Sequence, residues 1–175
     1  MGCAISNTTY SYKNIQLPTA STLNEQQRNQ VMMTVINRLM SSGLPNMTIE
    51  VACGIAGNIK SESEFNYTAI NKNGGAYGLC QWYQTRIEKL YAYCKSANVS
   101  PNSLDGQIEF LIHELNTSYK SVYDTISSSS YRNDMDKVAY YFCMHFEIPG
   151  ETYCQGRASN ARWVYQEYNK LKSQS

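Results

Sequence analysis

One stretch of helical apolar spacing, between residues 48 and 63, constrains the fold of this chain most. Val51, Ile55 and Ile59 follow one another at intervals of four, which places them on one face of a helix. Glu62 comes three residues later, and at about 100° per residue it falls within about 20° of Ile55 and Val51. The pattern therefore predicts a core-facing helix that carries one carboxyl at its end, where the helix meets a cleft.

Helical periodicity also dominates the rest of the chain. Further segments with apolar residues at helical spacing lie at about residues 24–42, 85–97, 103–115, 135–142 and 158–171. Residues 66–83 have no helical period and are rich in Asn, Gly and Tyr, so we expect a loop or small β region there. The prediction is an α+β fold, mainly α-helical, with a single domain over residues 23–175 behind a polar arm over residues 1–22.

Composition excludes several classes of function. The 175 residues suffice for one compact domain. The net charge is +1, whereas a nucleic-acid-binding protein typically has a marked excess of basic residues. No apolar run approaches the roughly 18 residues that a membrane span needs, and the chain does not start with a signal-peptide pattern. We therefore expect neither a nucleic acid nor a membrane as partner.

The six cysteines and two histidines do not form a recognisable metal-binding pattern. No C-x-x-C pair occurs, so no zinc site is expected, and no cofactor is predicted. Cys53 lies in the apolar stripe of its helix and is interpreted as a small core residue. Cys143 and Cys154 flank a turn, where they either form a disulfide or remain free thiols.

Several short motifs, in order along the chain, resemble those of the phage tail lysozyme family. Segment 52–66 resembles a helix of small residues that ends in G-N-x-x-x-E-S, followed by an apolar residue and Asn. Its matching residues are Gly57, Asn58, Glu62, Ser63, Phe65 and Asn66. Segment 76–82 looks like the motif Ala/Gly-x-Gly-Leu-x-Gln-Trp, and segment 146–149 looks like aromatic-Glu-x-Pro. Residues 157–163 resemble the family's last helix only loosely. The resemblance covers about residues 28–170.

This resemblance implies a lysozyme-like fold that acts on the glycan strand of bacterial peptidoglycan. Glu62 falls on the family's catalytic glutamate, the expected general acid. Such an acid must keep its proton near neutral pH, which partial burial among apolar groups favours. The alternative is that Glu62 forms a structural ion pair at the helix end. Tyr77, Gly78 and Gln81 fall in the loop that lines the cleft and contacts the sugar.

Two further residues of the resemblance have two interpretations each. Trp82 is either a platform for a sugar ring or a core tryptophan beneath the loop. Glu147 either faces the cleft, where it binds substrate, or holds loops together by hydrogen bonds. The second catalytic carboxyl that most glycosidases use is not identified. Its candidates by residue type are Glu64, Asp105, Glu109 and Glu147.

The sequence leaves the exact activity and setting open. The resemblance favours hydrolysis by a muramidase, from a virion tail or an endolysin released to the cell wall, with other tail proteins as further partners. One alternative is a lytic transglycosylase, in which the sugar's own 6-hydroxyl captures the intermediate and gives anhydro products. Another is a cell-wall-binding tail module without activity. A third is a peptidase that uses Cys80 and His113.

Overall fold

The computed structural model describes residues 11–71 and 73–174 and confirms a mainly helical, lysozyme-like domain. The helices are α1 (Glu25–Met40), α2 (Ile49–Ser63), α3 (Thr85–Ala97), α4 (Leu104–Asn116), α5 (Lys120–Ile126), α6 (Met135–Phe142), α7 (Glu151–Cys154) and α8 (Arg157–Lys172). A π-helical segment, Cys143–Glu147, continues α6. A short antiparallel hairpin pairs β1 (Ser11–Tyr12) with β2 (Ile15–Gln16).

Helix α2 is the central element of the domain, and α8, α6 and α1 pack around it. Thr48 caps its start, because the Thr48 side chain accepts a hydrogen bond from the Val51 amide at 3.2 Å. Gly57 allows the close approach of α8, since a Cβ atom there would lie 2.6 Å from the Ala161 nitrogen. The helix ends at Glu64, which adopts a left-handed conformation. Glu62 therefore lies in the last turn, where the helix leaves the core.

The apolar face predicted for α2 is buried. Val51, Ile55 and Ile59 are inaccessible to solvent, and so is Cys53, which confirms it as a core residue. The disulfide between Cys143 and Cys154 is present, with the two Cα atoms 5.6 Å apart. This bond ties the π-helical segment to α7.

Some elements differ from the sequence prediction. The helices α5 and α7 were not predicted, because seven and four residues are too few to show a helical period. Residues 66–71 and 73–83 lie in a loop region with the isolated β-bridges Ile70–Tyr77 and Tyr77–Trp82, in line with the small β region expected there. The hairpin lies instead within the predicted polar arm, in which Leu17 is buried in the core. Residues 1–10 of that arm lie outside the described part.

No helix in the described part of the chain combines the length and the apolar character that crossing a bilayer requires.

Candidate active site

The carboxyl of Glu62 is held by an arginine from the other end of the chain. Arg157, the first residue of α8, donates from Nη2 to Glu62 Oε1 at 2.6 Å, and from Nη1 to the Asn58 carbonyl at 3.0 Å. The Arg157 side chain is 7% exposed and the Glu62 side chain 18% exposed. The ion pair that the sequence left as an alternative is therefore formed. It does not bury Glu62, whose side chain still borders an open pocket.

The pocket beside Glu62 has a volume of about 370 Å³ and unites residues that are far apart in the sequence. Its lining includes Glu62, Gln81, Tyr83, Arg86, Glu147 and Ile148. A larger hollow of about 660 Å³ lies beside the start of α1, but Glu25 is the one charged group among its described lining residues. Of these two, the pocket beside Glu62 is the one that offers two carboxyls and a cation, as acid–base chemistry requires.

Glu147 ends the π-helical segment and shares this pocket with Glu62. Its Oε1 atom is buried and has no hydrogen-bond partner among the described residues. Burial and the nearby charge of Glu62 raise the pKa of Glu147 well above its ordinary value, although Arg86 and Arg157 act in the opposite direction. Glu147 thus borders the pocket, and its Oε1 holds no described loop by a hydrogen bond.

The loop 77–82 is held together by its own polar groups. The Tyr77 ring is buried, and its hydroxyl donates to Asn102 Oδ1 at 3.1 Å. Gly78 has a φ of +80°, and a Cβ atom there would lie 2.6 Å from the amide oxygen of Gln107. Both residues therefore shape the loop from below. Gln81 lies in the pocket wall, where its Nε2 donates to the Gly78 carbonyl at 2.9 Å.

Trp82 lies beneath the loop and is fully buried. Its indole N–H donates to Glu114 Oε2 at 2.8 Å, and its ring packs against Phe110 with 5.5 Å between the ring centroids. The structure thus shows the core tryptophan, not the exposed platform. The neighbouring Tyr83 is 49% exposed and lines the pocket.

The other acidic candidates lie elsewhere. Glu64 binds Lys60 at 2.7 Å on the exposed end of α2. Arg38 on α1 binds two acidic residues of α4, Asp105 at 3.1 Å and Glu109 at 3.4 Å. Among the four candidates for a second carboxyl, Glu147 is therefore the one that the fold brings beside Glu62.

The geometry gives no support to a cysteine peptidase. Cys80 is fully buried, and burial raises the pKa of its thiol well above the ordinary value. A buried, protonated thiol is a poor nucleophile. His113 stacks on Tyr93, with 4.6 Å between the ring centroids, and lines a separate pocket.

Three residues of the site were not identified from the sequence: Tyr83, Arg86 and Arg157. Arg157 is separated from Glu62 by 95 positions, and no periodicity within either helix indicates that contact. Tyr83 had a usable signal, because it directly follows the buried Trp82 in an extended loop, where neighbouring side chains point to opposite sides.

Comparison with known proteins places these residues in a family. A family model described as phage tail lysozyme matches residues 30–168. Comparison with curated proteins gives no match. Within the described part of the chain, no group of three or more His, Cys, Asp or Glu side chains is arranged to hold a metal ion. Because the matched range covers most of the chain, including Glu62, the loop 77–82, Glu147 and Arg157, the protein belongs to the phage tail lysozyme family.

Proposed function

We propose that this protein is a muramidase that hydrolyses the glycan strand of bacterial peptidoglycan, with Glu62 as the general acid. The family is one of lysozyme-like cell-wall hydrolases. The observation that carries the proposal is the position of Glu62 and Glu147 in one open pocket, with Arg157 bound to Glu62. Two carboxyls at one cleft are the arrangement that glycoside hydrolysis uses.

The chemistry needs a proton for the leaving oxygen and a negative group beside the developing positive charge. Glu62 suits the first task by position, since it borders the pocket at the end of a rigid helix. Arg157 orients its carboxyl through a charge-assisted hydrogen bond of 2.6 Å. Each bond that is cleaved takes one proton from Glu62, so this proton must be replaced before the next cleavage.

The substrate is bound at the rim of the same pocket. The exposed Tyr83 and Ile148 offer apolar surface to the apolar faces of sugar rings. Gln81 offers amide groups for the sugar hydroxyls and N-acetyl groups. We place this action at the bacterial cell wall, by a protein that is either part of a virion tail or released to the wall, where other tail proteins are further partners.

The test is mass spectrometry of the soluble products from purified peptidoglycan, comparing the wild type with Glu62→Gln. New reducing-end muramic acid from the wild type, absent with the variant, is the expected result. Glu64→Gln is the matched control, because Glu64 lies on the same helix end but pairs with Lys60 away from the pocket. It should digest peptidoglycan at the wild-type rate.

Other product patterns would reject parts of the proposal. Anhydro-muramic products would show a lytic transglycosylase that still depends on Glu62. Cleaved stem peptides with an intact glycan would show a peptidase. If Glu62→Gln digested peptidoglycan at nearly the wild-type rate, the central assignment would be overturned. Binding to cell walls without any product would identify a module that keeps the fold and lacks the activity.

A further inference from the structure

One of the three carboxyls around the pocket, that of Glu147, has no counterion bound to it in the described part of the chain. Arg157 forms its ion pair with Glu62, and Arg86 binds both oxygens of Glu114, at 3.0 and 2.8 Å. Each arginine is thus matched to one carboxylate. Glu147 forms no ion pair with any described residue, and its buried Oε1 has no partner there. The third cation of the pocket, Lys89, is exposed and forms no ion pair with Glu147, so this carboxyl is the one left without a counterion.

A third negative charge in this site would be costly, because a buried carboxylate without a counterion loses its hydration and gains nothing in return. Such a group takes up a proton instead. The high pKa of Glu147 agrees with this charge balance, since burial and the charge of Glu62 both favour its neutral form. Of the carboxyls in this site, Glu147 is therefore the one whose surroundings favour the neutral form.

We infer that Glu147 is the second carboxyl of this site, a positioning residue that stores the proton which Glu62 delivers to the substrate. The inference rests on the proposed glycosidase function. In the free protein the proton lies on Glu147 and Glu62 is bound to Arg157. When the glycan occupies the pocket, the O–H bond of Glu147 breaks and an O–H bond forms on Glu62. The net charge of the pair does not change.

The cleavage step that follows conserves atoms and charge. Glu62 gives its proton to the glycosidic oxygen as the bond from that oxygen to the anomeric carbon breaks. A water molecule adds its oxygen to the anomeric carbon and returns a proton to the pair. One water is consumed for each bond cleaved, and the pair ends as it began, with one proton.

The surroundings of Glu147 allow the proton to leave it. Arg86 and Arg157 both stabilise the ionised form of Glu147, in opposition to burial.

Several other charged or titratable groups lie around Glu147. The charged and titratable groups that face it or share its pocket are Glu62 (α2), Cys80 (the loop before α3), Arg86 and Lys89 (α3), Glu114 (α4), Tyr119 (before α5) and Arg157 (α8). The pKa values of Cys80 and Tyr119 are raised, mainly by burial, so both stay neutral.

The test compares the rates of peptidoglycan cleavage by Glu147→Gln, Glu62→Gln and the wild type from about pH 4 to pH 8. Glutamine keeps the size of the side chain but holds no transferable proton. At pH 7 the Glu147→Gln variant should lose about 100-fold or more in rate, a typical effect for a lost proton source. Near pH 4, where the solvent supplies protons more readily, its rate should return to within about tenfold of the wild type. Glu62→Gln should be inactive at every pH.

Two outcomes of this comparison would overturn the inference. Near-wild-type activity of Glu147→Gln at all pH values would assign Glu147 a purely structural role. A loss that persists at pH 4 would mean that Glu147 itself donates to the substrate. Glu167→Gln is the matched control and should follow the wild-type profile, because Glu167 lies outside the pocket lining and pairs with Lys170 on α8.

A measurement on the free protein separates this inference from the proposed function. NMR titration of labelled glutamate carboxyls in the wild type should show one carboxyl still protonated at pH 7, and its signal should be absent from Glu147→Gln. If every glutamate is ionised at pH 7, the shared proton is rejected, whatever the activity. If Glu62→Gln remains active, the proposed function fails while the titration still reports on the pair. Because the wild type is titrated, the test holds even if the Glu147→Gln variant folds poorly.

Discussion

Arg86 donates two hydrogen bonds to the Glu114 carboxylate, one from Nε to Oε1 at 3.0 Å and one from Nη2 to Oε2 at 2.8 Å. The Trp82 indole donates to the same Oε2 at 2.8 Å. The guanidinium also lies over the Phe146 ring, 4.4 Å from its centroid, and donates to the Phe146 carbonyl. This cluster joins α3, α4, the loop 77–82 and the π-helical segment, and thereby fixes the back wall of the pocket.

Glu114→Gln should lower the free energy of unfolding by about 3 kcal/mol, because it leaves the Arg86 charge without its counterion in a mostly buried site. Urea denaturation followed by circular dichroism measures this change. Glu109→Gln on the same helix is the control, since the Arg38–Glu109 pair is much more exposed, and its effect should stay under about 1 kcal/mol. Equal losses in the two variants would contradict a special role for the buried cluster.

The disulfide should matter for both stability and activity, because the segment it closes contains Glu147. Replacing Cys143 and Cys154 together by serine should lower the free energy of unfolding by about 3 kcal/mol, from the extra freedom of the unfolded chain. Cleavage of peptidoglycan should slow, since the π-helical segment is no longer tied to α7. A reductant should reproduce the loss in the wild type and add nothing in the double variant. An unchanged rate in both cases would separate the disulfide from the active site.

Tyr83→Ala should weaken substrate binding while the fold stays intact, because this half-exposed ring lies on the rim of the pocket and is not part of the hydrophobic core. We expect KM for soluble peptidoglycan fragments to rise about tenfold, equivalent to about 1.4 kcal/mol, with a smaller change in kcat. Tyr140→Ala, at an exposed ring of α6, is the control and should leave KM unchanged. A matching rise in KM for the control would argue against a sugar contact at Tyr83.

The raised pKa of Glu147 predicts how stability depends on pH. The folded protein holds the Glu147 proton more tightly than the unfolded chain, whose value lies near 4.5. The resulting stabilisation is complete below that value and is lost as the pH rises toward the raised pKa of the folded state. Calorimetric Tm values between pH 5 and pH 8 should therefore fall less steeply for Glu147→Gln than for the wild type. Parallel slopes for the two proteins would contradict a proton held by Glu147, and Glu167→Gln should keep the wild-type slope.

Much of the fold could be predicted from local patterns. The helix predicted between residues 48 and 63 is present as α2, and that at 85–97 is present as α3. The spacing of Val51, Ile55 and Ile59 correctly placed their side chains in the core. Periodicity predicts these helices correctly because a helix of three or four turns exposes one face and buries the other. The order of polar and apolar residues within the helix follows from this contrast.

The candidate site was only partly predictable. The sequence by itself determined that Glu62 ends a core-facing helix and that a Gly-Leu-x-Gln loop follows it. Only the tertiary structure decided that Arg157 binds Glu62, that Glu147 borders the same pocket without an ion pair, and that Trp82 is buried while Tyr83 is exposed. Ion pairs and burial between separate helices depend on how the helices pack. Because packing depends on all core residues together, the spacing of residues within one helix does not predict which charged side chains will meet across helices.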